Sequence, residues 1–253
     1  MKGICKLCGL EKDLIKKSHI IPEFMYQYLF DADHKIIVTD TYGLLDKDSK
    51  PGYKLTGEYE VGILCNKCDN EIIGQYESFS ARTIFGINIP IEIAPKVTQY
   101  HNAKGQNWSK CENIDYSKYK LFLLSILWRA HISTRPLFKE INLGPHGEII
   151  RKMILNGDAG DEDQYPIVHL TTVHNKAVPT DYVLQPRMIH FDAHRIHIFP
   201  ISGMFILFYV SNHEKPLGVM DYTIRKNGAM IIEHIPLGQG WSFIAKYLNV
   251  GKK

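Results

Sequence analysis

The chain has 253 residues, 45% of them hydrophobic and 23% charged, with a formal net charge of +3 and a pI near 8.4. That composition is ordinary for a globular protein, and the sequence shows no internal repeat, no low-complexity tract and no run of about eighteen apolar residues that would span a membrane. The length permits one large core, or a small metal-stapled module beside a medium-sized domain, and the mild positive charge allows a nucleic-acid partner without requiring one.

The first element is Cys5-Lys6-Leu7-Cys8-Gly9, a knuckle followed by a short polar strand or loop to residue 17. Lys2, Lys6, Lys12, Lys16 and Lys17 crowd it against only Glu11 and Asp13, a rim that suits phosphate and equally a solvated surface. Ser18-His19-Ile20-Ile21-Pro22 comes next. Pro22 suits a first helical turn, and Phe24, Met25, Tyr28 and Leu29 predict a helix over 22–31. The stretch 31–59 is polar, with breakers at Thr41-Tyr42-Gly43 and Ser49-Lys50-Pro51-Gly52, and is expected to hold one short strand at 35–39. A strand over 60–64 feeds into the second knuckle, Cys65-Asn66-Lys67-Cys68. From Asp69, Ile72, Ile73, Tyr76 and Phe79 predict an amphipathic helix to about Arg82.

Each Cys-x-x-Cys pair puts two thiolates on one side of a turn, and two such turns complete a tetrahedron. Cys5, Cys8, Cys65 and Cys68 are therefore expected to hold one structural zinc ion. The start of the chain lacks the apolar core of a signal peptide, which points to a reducing cytoplasm, where paired cysteines bind metal rather than oxidise. Cys111 is left as a plain thiol in a loop-like segment.

Gly86, Pro90 and Pro95 punctuate the stretch that follows, so a boundary is placed there: a zinc module over 1–85 and a second domain over 86–253. The second part opens with a polar segment, 98–113. A helix over 115–132 follows, with Leu121, Leu124, Ser125, Leu127 and Trp128 on its apolar face; Trp128-Arg129-Ala130-His131 reads as a basic helix end favoured by the macrodipole. A helix over 145–155 comes next, then strands at 167–173, 182–184, 188–199, 204–210 and 230–235, and a terminal helix over 241–248. The run 204–210 has the character of a strand buried on both faces. His190, Asp192 and His194 alternate within the strand expected at 188–199, with His197 nearby, and could form a second metal site or a solvated strand face.

The words Cys5-x-x-Cys8, Ser18-His19-Ile20-Ile21-Pro22 and Ile63-Leu64-Cys65-x-x-Cys68-Asp69-Asn70 resemble the HNH endonuclease family in its treble-clef, four-cysteine form. The resemblance covers about eighty residues and implies a treble-clef module of ββα-metal type; with the helix-then-strand pattern read over 86–253, which matches no recognised fold, the chain is expected to be an α+β protein. In that family the first histidine is the general base, a position taken here by His19, whose imidazole suits that role at neutral pH. The preceding residue is often a metal-holding aspartate; here it is Ser18. The middle asparagine falls at Glu60 and the last histidine or asparagine at Asp69, so the pattern reads Ser-His, Glu, Asp. The resemblance thus implies His19, Asp69 and Glu60 as site residues, with Asp69 holding Mg²⁺ or Mn²⁺ as a hard oxygen donor. On the residues alone, His19 reads also as a structural histidine, Glu60 as a group that orients His19 or caps a turn, Asp69 as an N-cap with Asn70 as second candidate, and Glu77 as a solvated group.

Two functions follow as expectations. One is a cytoplasmic, metal-dependent nuclease acting on DNA or RNA, of the kind that often serves bacterial defence or genetic conflict, with residues 86–253 selecting substrate or a protein partner. The other is a zinc-stapled module that binds nucleic acid or protein and has lost the chemistry, as Ser18 in place of aspartate indicates.

Overall fold

The structure, a computed structural model, describes residues 1–27, 29–31, 33, 35–38, 52–54, 56–86, 89–174, 180, 182–191 and 193–249. The expected turns at 41–43 and 49–51, and also Tyr28 and Asp192, lie outside these residues.

Strands β1 (Lys2–Ile4) and β2 (Glu11–Asp13) form an antiparallel hairpin whose connection is the first knuckle. Strand β3 (Ser18–His19) follows, then a ribbon of β4 (Ile36–Val38) and β5 (Gly52–Lys54), and β6 (Tyr59–Glu60) returns antiparallel to β3. The helix expected over 22–31 is reduced to a 3₁₀ turn, Glu23–Tyr26. Packing overrides the pattern there: Phe24 stacks on Phe122 with ring centroids 5.7 Å apart, and the Tyr26 hydroxyl accepts from the backbone of Glu58. The strand expected over 60–64 ends at Glu60, because Gly62 takes a left-handed φ of 67°. The next residues bond the first knuckle instead, Ile15 N–H to Leu64 C=O at 2.9 Å and Lys6 N–H to Ile63 C=O at 2.8 Å. Residues Lys67–Ile73 then wind as a π-helix that passes into α1 (Gly74–Phe85), which Gly86 stops in a left-handed cap.

Strands β7 (Lys96–His101) and β8 (Asn107–Glu112) form a hairpin where a polar loop was expected. Its turn is organised by the Asn102 side chain, which accepts from the backbone of Lys104 and Gln106. Helix α2 (Tyr116–Ile132) begins on an Asp115 cap, and α3 (His146–Asn156) ends on Gly157. Strands β9 (Ile167–Thr171), β10 (Arg187–Phe191), β11 (His194–Ile201), β12 (Met204–Tyr209) and β13 (Met230–His234) follow, and α4 (Gly240–Asn249) closes the described chain. The segment 182–184 contributes one isolated bridge, Val183 to Ile201. Seven strands make one mixed sheet in the order β10-β11-β12-β9-β13-β8-β7, antiparallel throughout except for β13 beside β9.

The period of two along β12 divides the core. Ile206 and Phe208 join a cluster with α2, α1 and the cysteines, whereas Phe205 and Tyr209 face Ile244 of α4. Helix α2 is buried all round, Tyr119 through Ala130, because α1 and α3 pack on it opposite the sheet. That cluster is continuous from Cys5 and Leu7 to Phe199, so the first eighty-odd residues share α2 with the rest of the chain. Among the described residues no helix is long and apolar enough to cross a membrane.

Candidate metal centre and the His19 ribbon

The four paired cysteines converge. Gly9, at φ 74°, lets the first knuckle close so that its N–H reaches the Cys5 carbonyl at 2.8 Å. The second knuckle opens the π-helical segment, with Asp69 N–H bonded to the Cys65 carbonyl. The thiols of Cys5, Cys8, Cys65 and Cys68 all lie within 4.8 Å of one another. A tetrahedral zinc with Zn–S near 2.3 Å holds its sulfurs about 3.8 Å apart, so a slight contraction completes the site. Burial raises the Cys5 thiol, but backbone N–H groups of Cys8, Cys65 and Leu7 outweigh it and bring the pKa down to about 7. Burial, then its crowded neighbours Cys65 and Cys5, push Cys68 the other way. Four thiolates so close repel unless a dication sits among them, and the donor set fits zinc. Arg151 of α3, held chiefly by Glu148, donates to the Leu7 carbonyl and also feels the charge of Cys8 and Cys5. Cys111 stands outside this cluster, buried in β8 rather than in a loop, and burial raises its thiol to about 11.

The β3–β6 ribbon sets the direction of the next group. Ser18 lies opposite Glu60 and His19 opposite Tyr59. Alternation therefore sends Ser18 and Glu60 inward and His19 and Tyr59 outward. Nε2 of His19 meets Glu23 Oε2 at 2.7 Å and Thr56 Oγ1 at 3.3 Å. Nδ1 makes no hydrogen bond among the described residues. The His19 carbonyl accepts from Arg129 Nη1 at 2.6 Å.

Glu60, expected near His19, points the other way. Its Oε1 accepts from Thr134 N–H at 2.5 Å, Ser133 Oγ at 2.9 Å and Thr134 Oγ1 at 3.0 Å, pinning the segment after α2. Burial would raise this carboxyl, but those bonds hold it below the usual range.

Asp69 sits in the first turn after the second knuckle, and burial raises its carboxyl, while Arg129 and Ser18 draw it down and Glu77 opposes them. The Ser18 hydroxyl is close enough to act on Asp69, yet neither Ser18 Oγ nor Asp69 Oδ1 closes a hydrogen bond of normal geometry. Asn70 bonds Asn66 at 2.7 Å on the exposed side. Glu77 is not solvated: Arg129 Nη2 lies 2.7 Å from its Oε1, an ion pair whose angles fall outside those of a hydrogen bond. Asp69 Oδ1 is buried and without a hydrogen-bond partner, and no other acid, histidine or cysteine gathers with it as a metal-ligand group among the described residues.

Two residues of this site, Glu23 and Thr56, lie beyond the sequence reading, and two more, Glu77 and Arg129, take roles other than those read for them. Arg129 is not a solvated helix end. It is 1% exposed, with Nε on the Ser125 carbonyl and its other nitrogens on His19, Glu77 and Ser125. A lone charge inside an otherwise apolar helix was the available signal, since a buried guanidinium needs partners. The His19-x-x-x-Glu23 spacing was the other.

Of the second metal site considered over 188–199, Asp192 lies outside the described residues, and His190 and His194 gather with no third ligand among those described. That stretch folds back as β10 and β11, which places His190 opposite Arg195 and His194 opposite Phe191. His190 is exposed, and His194 bonds Ser211 at 2.9 Å. Among the described residues, the four cysteines are the one group of three or more such ligands gathered closely enough for a metal. No family model, no curated protein and no solved structure matches the chain.

Proposed function

We propose that this protein is an HNH-type, metal-dependent endonuclease that hydrolyses phosphodiester bonds in DNA or RNA. The observation that carries the reading is the mounting of His19. Glu23 engages Nε2, which leaves Nδ1, without a hydrogen bond among the described residues, as the proton acceptor. A histidine fixed on one nitrogen by a carboxylate and open on the other is arranged as a general base.

The surrounding parts support it. A knuckle inside the β1–β2 hairpin and a second at a helix start are the parts of a treble clef, which zinc on Cys5, Cys8, Cys65 and Cys68 would hold together. Arg129 fixes the His19 backbone from behind, so the ring position is set by α2. Asp69 Oδ1 would hold Mg²⁺ or Mn²⁺, an ion that supplies charge neutralisation at the phosphate and the leaving oxygen. Nδ1 of His19 takes the proton of the attacking water, and the Glu23 carboxylate stabilises the imidazolium so formed. Glu60 serves this site indirectly, by tying the ribbon to the segment after α2. The test is incubation of the purified protein with plasmid DNA and with RNA in Mg²⁺ or Mn²⁺, against a chelator control. Cleavage lost with His19→Ala carries the reading; no cleavage of either substrate by the wild-type protein ends it.

The burial of Ser18, where the family has a metal-holding aspartate, favours a second reading: a zinc-stapled binding module without catalysis. Binding of nucleic acid or a protein without cutting would be its mark.

A further inference from the structure

The outward face of the β3–β6 ribbon carries more than His19. Tyr59, its cross-strand neighbour, meets the His19 ring edge-on with centroids 6.1 Å apart. Two cations lie over the Tyr59 ring, Lys17 Nζ at 5.0 Å and the Arg135 guanidinium carbon at 5.3 Å from its centroid. Lys17 arrives from just before β3 and Arg135 from the segment that Glu60 pins after α2, so one ring gathers charges 118 residues apart in sequence. The Nε of Arg135 donates to the Tyr59 carbonyl at 2.7 Å, which orients the guanidinium along the ribbon. Its terminal nitrogens, and the Lys17 ammonium, meet no carboxylate among the described residues.

An aromatic face attracts a cation without neutralising it. Lys17 and Arg135 are therefore held in place with their charge still available to an anion, and the free edge of a guanidinium matches two phosphate oxygens. Lys110, Lys118, Arg225 and Lys226, by contrast, are each paired with a carboxylate: Glu112, Asp115, Glu162 and Asp161.

We propose that Lys17 and Arg135, held over Tyr59, seat a backbone phosphate of a nucleic-acid strand beside His19. The proposal rests on the nuclease reading and assigns the substrate side of that site. A phosphate held there sits on the outward face of the ribbon that carries the His19 ring, and the contact is to the backbone, so it carries no base preference.

The test is fluorescence anisotropy of the full zinc-loaded chain with labelled single-stranded and duplex oligonucleotides, without added Mg²⁺, across a salt series. Each phosphate contact contributes about 0.7 (single strand) to 0.9 (duplex) to the slope of log affinity against log salt. Lys17→Gln and Arg135→Gln should each reduce the slope, and the double variant, which loses the seat, should reduce it by about that amount. The affinity lost between about 50 and 200 mM salt then shrinks about threefold in the double variant. Lys17→Arg and Arg135→Lys should keep the wild-type slope, whereas a neutralised packing contact would not discriminate charge. Lys246→Gln, on α4 across the sheet, is the control and should leave the slope unchanged. Zinc content and melting of every variant should match wild type. Binding whose slope survives both Gln variants, or falls equally with Lys246→Gln, overturns the phosphate seat and leaves the nuclease reading standing. Wild-type protein that binds neither oligonucleotide overturns both.

Discussion

At the scale of single residues, His19 and Asp69 separate by the way their loss is repaired. On the proposed nuclease reading, His19→Ala removes the base and none of the four thiolates that would hold zinc, so cleavage should fall about 10²- to 10⁴-fold with zinc content unchanged. Asp69→Ala removes the oxygen that would hold the divalent ion, so raised Mg²⁺ should partly restore cutting there and not in His19→Ala. A rescue of both, or of neither, would break the division of roles. Cys111 makes a different point. In a polar loop its replacement would be silent, but it is buried in β8 between Val97 and Met230. Cys111→Ser places a hydroxyl in that slot and should cost about 1–3 kcal/mol in a denaturant titration, with zinc content unchanged. A silent variant would mean the hydroxyl finds a partner there.

Elements differed in how far the sequence disclosed them, for physical reasons. Helices α2 and α3 and strands β9, β12 and β13 carry their own periodicity and were read close to their true limits. The two knuckles were legible because the donors of a tetrahedral metal site need that spacing whatever packs around them. The β7–β8 hairpin was missed because an edge pair needs little apolar surface; its order lies in backbone pairing and the Asn102 turn. Strands β10 and β11 merged in the reading because the turn after Phe191 shows neither glycine nor proline to mark it. The contacts that build the His19 site span up to 110 residues, Arg129 to His19, and no local pattern encodes them. One consequence of β11 can be measured. His197 faces the α2 side of the sheet with both ring nitrogens buried and unbonded, and burial, helped by Arg195 and His131, lowers its pKa to about 4. Its folded pKa lies below the ordinary 6.5, so its contribution is complete above that value and is lost as pH falls through about 4. By pH 5 the cost is about 2 kcal/mol. His197→Leu should therefore be neutral or stabilising at pH 7 and should raise the urea midpoint further at pH 5. Equal pH dependence in the two proteins would show that the ring finds solvent on protonation. His169 in β9, also lowered to about 4, would leave a residual acid sensitivity in the variant.

For the whole molecule the decisive fact is that the cysteine knuckles belong to the same apolar cluster as α2 and the sheet. Cys5, Leu7, Ile20 and Ile73 pack into it with Phe122, Leu127 and Phe199. Arg129 adds a polar tie from α2 to the ribbon and to α1, and Arg151 ties α3 to the first knuckle. A separate zinc module would melt alone when its metal is removed. This one should take α2 with it. Structural zinc contributes on the order of 10 kcal/mol in small peptides, and β1 through β6 are two- or three-residue strands that cannot hold their register without it. Cys65→Ser, or chelation of the wild-type protein, should thus expose backbone amides across 1–85 to hydrogen exchange. Once those residues leave, Phe122 loses its partner Phe24, and Arg129 keeps a buried charge whose Glu77 and His19 partners are gone. An uncompensated buried charge is among the costlier lesions a core can carry, about 3–5 kcal/mol, so amides in the C-terminal half of α2 should lose protection as well. Strands β9, β11 and β12 have a second cluster beneath α4 and should stay protected longest. The expected pattern on zinc loss is therefore graded: 1–85 first, then α2, then the sheet. Full protection of α2 with 1–85 exposed would instead show that the sheet and α2 form a core that stands without the metal.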